Sequence, residues 1–195
     1  MKTSETKKRS LIHCSVRCQG GIAAVEMALV LPLLLVVIFG LFEFARGILA
    51  NNVITGMSRE GANLYSRTGT PPEDIMNALA ATASQVNMVD NGIIYMTRIL
   101  QTGGDPKVVE QFRWSGSSLE DPPESGVWQC DGPSGWDGGE CDIGPALSSS
   151  TRTATLDMTL NDGEEIVAVE VFYVYRPAFT FYLKKDLTFY SRTLL

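Results

Sequence analysis

Residues 22–42 form a continuous apolar run of 21 residues with a single charge, Glu26. As an α-helix this run is about 31 Å long, the thickness of a hydrocarbon core, and it predicts one membrane crossing. Beyond it, Ala50, Ile54, Met57, Gly61 and Leu64 recur at intervals of 4, 3, 4 and 3, while Asn51, Asn52, Arg59 and Asn63 fall off that stripe. The same helix is therefore expected to continue past the membrane and to pack its apolar stripe on the downstream strands. A second helix is announced by "TGTPPEDIMNALAATASQVNM", with Thr70 as N-cap, Pro71 at the first helical position, Glu73 completing a capping box, and Ile75, Leu79, Ala83 and Val86 on one face. "GIIYMTRILQ" and "KVVEQFRW" read as strands joined by the turn "TGGDP". Residues 115–150 turn to Gly, Pro, Ser and Asp and read as loop. In "EEIVAVEVFYVYRP", Val167, Val169, Val171, Tyr173 and Tyr175 alternate onto a buried face with Glu170 and Arg176 opposite, and "AFTFYLKKDLTFYSRTLL" supplies a hairpin partner turning at residues 184–186. Helices first and strands after is the α+β order, here a long N-terminal transmembrane helix continuing into a domain with a second helix and an antiparallel sheet.

Charge orients this plan. The chain has 195 residues, 16 of them Lys or Arg and 22 Asp or Glu. Five of those bases and one acid precede residue 22, which leaves 11 against 21 for the rest. The positive-inside rule then keeps the N-terminus in the cytoplasm and exports the chain beyond Arg46. An exported part that acidic is a poor nucleic-acid binder. Cys14 and Cys18 fall before the run and Cys130 and Cys141 after it, in opposite redox compartments, so only Cys130 and Cys141 are expected to join.

The apolar run is too long for the core of a cleaved secretory signal, and "GILANN" matches a small-x-small cleavage site poorly. A lipoprotein signal needs its cysteine behind the apolar stretch, whereas both nearby cysteines precede it. What remains is a basic leader, a glycine, four small or apolar residues and a glutamate, with the apolar helix continuing beyond. That order resembles the prepilin signal of type IV pilins and pseudopilins. "GIAAVEMALVLPLLLVVIFGLFEFARGILANN" followed by "SREGANLYSRTG" is similar, over residues 20–70, to the TadE-like minor pseudopilins of tight-adherence (Tad, or Flp) pili. Met27 stands where that family usually places an aromatic residue. The resemblance implies a pilin-like architecture and cleavage by a prepilin peptidase between Gly21 and Ile22. Gly20 is the poorer alternative, since it makes Glu26 the sixth residue of the mature chain rather than the fifth. The implied organisation is a leader at 1–21, a membrane helix at 22–46 and an exported, periplasmic pilin-like domain at 47–195.

A lone carboxylate within a membrane helix costs on the order of 3 kcal/mol and needs a partner. Cleavage creates one, because the new α-amino group of Ile22, like any free α-amine, titrates near pH 8 and is mostly cationic at neutral pH. Glu26 of one subunit meets that cation on its neighbour and sets the stagger of two helices; the plainer reading of Glu26 is an interfacial marker. Pro32 removes one backbone hydrogen bond and is expected to kink the helix.

Little else in the sequence points to chemistry. The single histidine, His13, lies in the leader, so the exported part has no imidazole base, and zinc on His13, Cys14 and Cys18 is short of a fourth ligand. No phosphate-binding loop is present. "CDGPSGWDGGECDIG" crowds Asp131, Asp137, Glu140 and Asp142 around the cysteines, a weak calcium candidate that lacks EF-hand spacing. Trp114, Trp128 and Trp136 read as core cover before they read as an adhesive patch. The expected protein is thus not an enzyme and needs no cofactor. The resemblance implies a role in priming, capping or joining a Tad-type pilus, with the prepilin peptidase, other minor pseudopilins, the major Flp-type pilin and the inner-membrane assembly platform as partners. The alternative is an uncleaved, signal-anchored envelope domain acting as sensor or scaffold.

Overall fold

A computed structural model describes residues 12–130, 135–144, 152–177 and 186–195, with side chains from residue 21 onward. Three helices, α1 (Ile12–Arg67), α2 (Pro72–Thr82) and α3 (Met88–Asn91), precede the strands β1 (Gly92–Thr102), β2 (Asp105–Arg113), β3 (Trp136–Asp137), β4 (Glu140–Cys141), β5 (Glu165–Tyr175) and β6 (Leu187–Leu194). The α+β order read from the sequence is the order found. The chain divides into two compact units, Met1–Ala45 and Arg46–Leu195.

In the first unit, α1 carries Pro32 inside a continuous helix, and large apolar side chains from Ile22 to Phe44 are exposed along it. The second unit is an antiparallel sheet in the order β3-β4-β2-β1-β5-β6, covered on both faces. On the near face, the continuation of α1 buries Ala50, Ile54 and Met57, and α2 buries Ile75, Met76 and Leu79, against Ile94, Met96, Val169, Val171 and Tyr173. At Gly61 the helix lies close against its neighbours. A Cβ there would stand 2.9 Å from Leu79 Cδ1 and 3.1 Å from Val169 Cγ1, so the stripe position read as apolar is occupied by the one residue without a side chain to clash. Ser58, wholly buried on the same helix, bonds the hydroxyls of Ser191 at 2.9 Å and Thr193 at 3.0 Å on β6.

The start of α2 differs from expectation by one residue. Pro71 is the N-cap and Pro72 the first helical residue, with no side-chain cap; Pro71 O accepts from Asp74 N at 3.0 Å and Ile75 N at 3.2 Å. Pro71 at the N-cap has neither a side-chain oxygen to cap with nor an N–H for an acid at the third helical position to accept from, so no capping box forms. Glu73 turns instead to Ser115 Oγ at 2.5 Å. The helix stops at Thr82 rather than running on through Val86, and Asn87 Oδ1 then caps α3 by accepting from Asp90 N. The β1–β2 turn is the expected one, with Thr102 opposite Asp105 and both Gly103 (φ 63°) and Gly104 (φ 91°) left-handed, the form a two-residue hairpin requires.

Two further readings are corrected on the far face. Residues 115–150 are more than loop: β3 and β4 form a small hairpin there, joined to the sheet through Phe112 and Glu140. With Val127, Trp128 and Ala154, Cys141 of this hairpin covers Ile99, Val108, Ile166 and Ala168. Glu170 therefore does not face solvent. It is wholly buried, because alternation along β5 separates two covered faces rather than an inside from an outside. The β5–β6 hairpin is present over Ala168–Tyr175 and Leu187–Leu194. Of its expected turn, residues 184 and 185 lie outside the described residues.

Candidate functional site

The N-terminal segment is set by composition alone. Helix-forming Leu, Ala and Met with no glycine between 22 and 39 keep α1 helical through Pro32, the only helix breaker in that stretch. Over Gly21–Arg67 the helix is long and apolar enough to cross a membrane, and its most apolar 18-residue window is entirely unburied. An unburied apolar run of that length matches lipid in length and composition. This is the arrangement of a single-pass membrane protein.

On this helix Gly21 has nothing within 4 Å of where a Cβ would stand. Ile22 is 63% exposed, and Glu26, one turn later, is the only charged residue among exposed Val25, Met27 and Leu29. The helical register thus places Gly21, Ile22 and Glu26 within about a turn and a half of one another at the start of the apolar run.

Cys130 and Cys141 form a disulfide with a Cα–Cα separation of 5.9 Å. Cys141 Sγ is buried with the far-face core, so the bond ties the β3–β4 hairpin to the segment carrying Trp128. The acids around it do not converge. Asp137 and Glu140 are exposed and sit opposite one another across β3 and β4, Asp142 Oδ1 accepts from Gly144 N at 3.1 Å, and Asp131 lies outside the described residues. Among the described residues no group of three or more His, Cys, Asp or Glu side chains is placed to hold a metal ion.

Trp114 is buried on the near face, its indole N–H donating to Asn77 Oδ1 at 2.8 Å, and Trp128 is buried on the far face. Trp136 is half-buried, with Arg113 Cζ 4.8 Å from its ring centroid. With Tyr95, Glu124 and Gln129 these two residues line a shallow groove. Sequence reasoning missed the buried carboxylate beside it. Glu170 accepts from Ser125 Oγ, from Gly126 N at 2.9 Å and from Tyr190 Oη at 2.7 Å. Burial, helped by the Glu170 carboxylate, raises the Tyr190 phenol above its ordinary range. Tyr65 is raised likewise, by burial first and then by the Glu110 carboxylate it donates to at 2.6 Å. A glutamate at an alternating strand position carries no signal of burial; only the Ser125-Gly126 donors, 44 or more residues away, create its site.

The sequence of residues 21–63 matches the family of TadE-like proteins. The matched stretch begins at Gly21, contains Glu26 and Pro32, and ends on the near-face stripe just past Gly61. No curated protein and no solved structure matches the chain.

Proposed function

Proceeding from the TadE-like sequence of residues 21–63, we propose that the protein is a minor pseudopilin that takes part in assembling a Tad-type adhesive pilus. The observation that carries this reading is a single one: within the matched stretch, the lone carboxylate of an exposed apolar helix stands five residues after a glycine with open space around it. A prepilin peptidase cuts between Gly21 and Ile22 on the cytoplasmic side and leaves the helix in the inner membrane. The freed Ile22 amine is cationic at neutral pH, and in lipid it seeks a counter-charge. Glu26 of a neighbouring subunit supplies it, which fixes the axial offset between two helices and removes two isolated charges from hydrocarbon together. The sheet domain, residues 47–195, is periplasmic and meets other minor pseudopilins and the major Flp-type pilin at the assembly platform. No catalytic step or cofactor is assigned to it. The uncleaved anchor for an envelope scaffold or sensor domain differs in one respect, since it retains residues 1–21.

Mass spectrometry of the protein extracted from membranes of cells that possess the peptidase is expected to find Ile22 as the N-terminus, and Gly21→Leu to abolish that product. Glu26→Ala is expected to be cleaved and inserted at normal levels yet to leave cells without surface pili, with Glu26→Asp intermediate because its carboxylate reaches one methylene less far. An intact Met1 terminus favours the uncleaved anchor. Normal pilus numbers with Glu26→Ala reduce the glutamate to a marker of the membrane edge.

A further inference from the structure

On the far face of the sheet one arginine stands apart from the others. Of the four described arginines that are not exposed, three spend their guanidinium groups on acceptors: Arg98 on Glu110 and Glu165, Arg152 on the carbonyls of Ile143 and Gly144, and Arg192 on Asp157. The fourth, Arg113, meets no acceptor among the described residues; its Cζ lies 4.8 Å from the centroid of the Trp136 ring. Stacking on a ring uses the flat face of a guanidinium and leaves the N–H groups at its edge unspent. The sheet, not a counter-charge, holds this residue in place. Arg113 ends β2, pairs with Tyr95 on β1 and donates its backbone N–H to Gly139 O at 2.6 Å. Tyr95, Arg113, Glu124, Trp128, Gln129 and Trp136 line one groove of about 190 Å³, room for a single ring-sized unit. Glu124 and Gln129 are exposed there, and among the described residues Arg113 and Glu124 share the groove without pairing as ions.

A ligand that satisfies this lining accepts at one end and donates at the other, with an apolar face between. An unspent guanidinium edge matches a carboxylate, two parallel N–H donors to two oxygens. A phosphate group fits less well, because it carries close to two negative charges and no donor and so meets Glu124 with repulsion alone. Hydroxyl groups donate to the Glu124 carboxylate and the Gln129 carbonyl, and the aromatic walls take a ring's C–H face. We propose that the groove binds a uronic acid unit of a glycan, its carboxylate on Arg113, its hydroxyls on Glu124 and Gln129, and its ring against the aromatic side chains. A sugar suits an open groove, since the hydroxyls on its outer edge stay hydrated. The site lies wholly within the sheet domain and is independent of how residues 21–63 are processed or inserted.

The test is ligand-observed saturation-transfer NMR on the full chain in deuterated detergent with the Cys130–Cys141 disulfide closed. The probes are D-galacturonate, its uncharged methyl ester, D-galactose, and acetyl-glycyl-alanine with a free carboxylate. Transfer to the ring protons of D-galacturonate is expected to exceed that to the ester and to galactose several-fold, a comparison that needs no variant and so raises no question of folding. Arg113→Gln is expected to abolish the excess, Arg113→Lys to leave part of it because the charge stays and the fork is lost, and Arg67→Gln, on the exposed end of α1, to leave it whole. Equal transfer to galacturonate and its ester, or no transfer to any probe, overturns the proposal. An excess for galacturonate that survives Arg113→Gln overturns it too, since the site then lies elsewhere. Arg113-dependent transfer to the dipeptide without transfer to galacturonate makes the groove a receptor for peptide carboxylates and overturns the glycan assignment.

Discussion

Glu170 shows what a single buried carboxylate can organise. Its two oxygens collect a hydroxyl from Ser125, a backbone N–H from Gly126 and the Tyr190 phenol, so one residue on β5 ties the far-face cover to the neighbouring strand β6. Hydrogen bonds to an ionised acceptor are stronger than neutral ones, and donors left without an acceptor in a buried site cost about 1–3 kcal/mol each. Glu170→Ala removes the acceptor for all three and is expected to lower stability by about 3 kcal/mol, read as a drop in the urea midpoint of the detergent-solubilised chain. Glu170→Gln keeps the shape and one acceptor oxygen and should lie between. A midpoint for Glu170→Ala within error of the wild type would mean that water replaces the carboxylate at no cost.

At the scale of elements, the parts that could be read from the sequence are those in which one periodicity governs one surface. The 4-3-4-3 stripe of α1 is buried as read, save that Leu64 is only half-buried, and the two-residue Gly103-Gly104 turn fixes the β1–β2 register by its handedness. The far-face cover was not legible, because its described residues pack through separate anchors such as Val127, Trp128 and Ala154 with no repeat to connect them. Without that cover, Glu170 reads as a solvent residue. At the candidate site the glutamate and proline of α1 stand out for the opposite reason, each the single residue of its kind in a uniform apolar run that Gly21 immediately precedes. The anchors of the cover are held by the disulfide, so Cys130→Ser with Cys141→Ser is expected to release them. Closing a loop of this size contributes roughly 3 kcal/mol in the chain-entropy account. Hydrogen exchange checks it. The Thr155 amide, bonded to Val127 O at 2.8 Å, should exchange much faster in the double variant, while the Ile75 amide under the near face changes little. Equal acceleration of both would show that the sheet domain opens as one unit.

Across the whole molecule, three tyrosines link stability to alkaline pH. Burial pushes the Tyr95 phenol up to about 12, and Tyr65 and Tyr190 are raised by burial and by their glutamate partners. An unfolded tyrosine titrates near 10. Below pH 10 both states keep the proton and the contribution is complete; above it the unfolded chain loses protons first, and stability falls as pH rises through the folded values. The urea midpoint should therefore stay level up to about pH 10 and then decline, and Tyr95→Phe should flatten part of the decline while lowering the neutral-pH value through loss of its bond to Pro123 O. A midpoint that is level from pH 9 to 12 would contradict this. The sheet order has a separate consequence, one of timing. The central strand β1 meets β2 across a two-residue turn, but its other edge waits for β5, with Gly92 opposite Tyr173. Contacts so distant in sequence form slowly, and until they do β1 offers an unpaired edge to any other extended chain. On the exported placement proposed above, a newly made copy held by its helix in a membrane passes through that interval with the edge open, so a holding chaperone on the exported side is expected to have its greatest effect in the time between the emergence of β1 and that of β5.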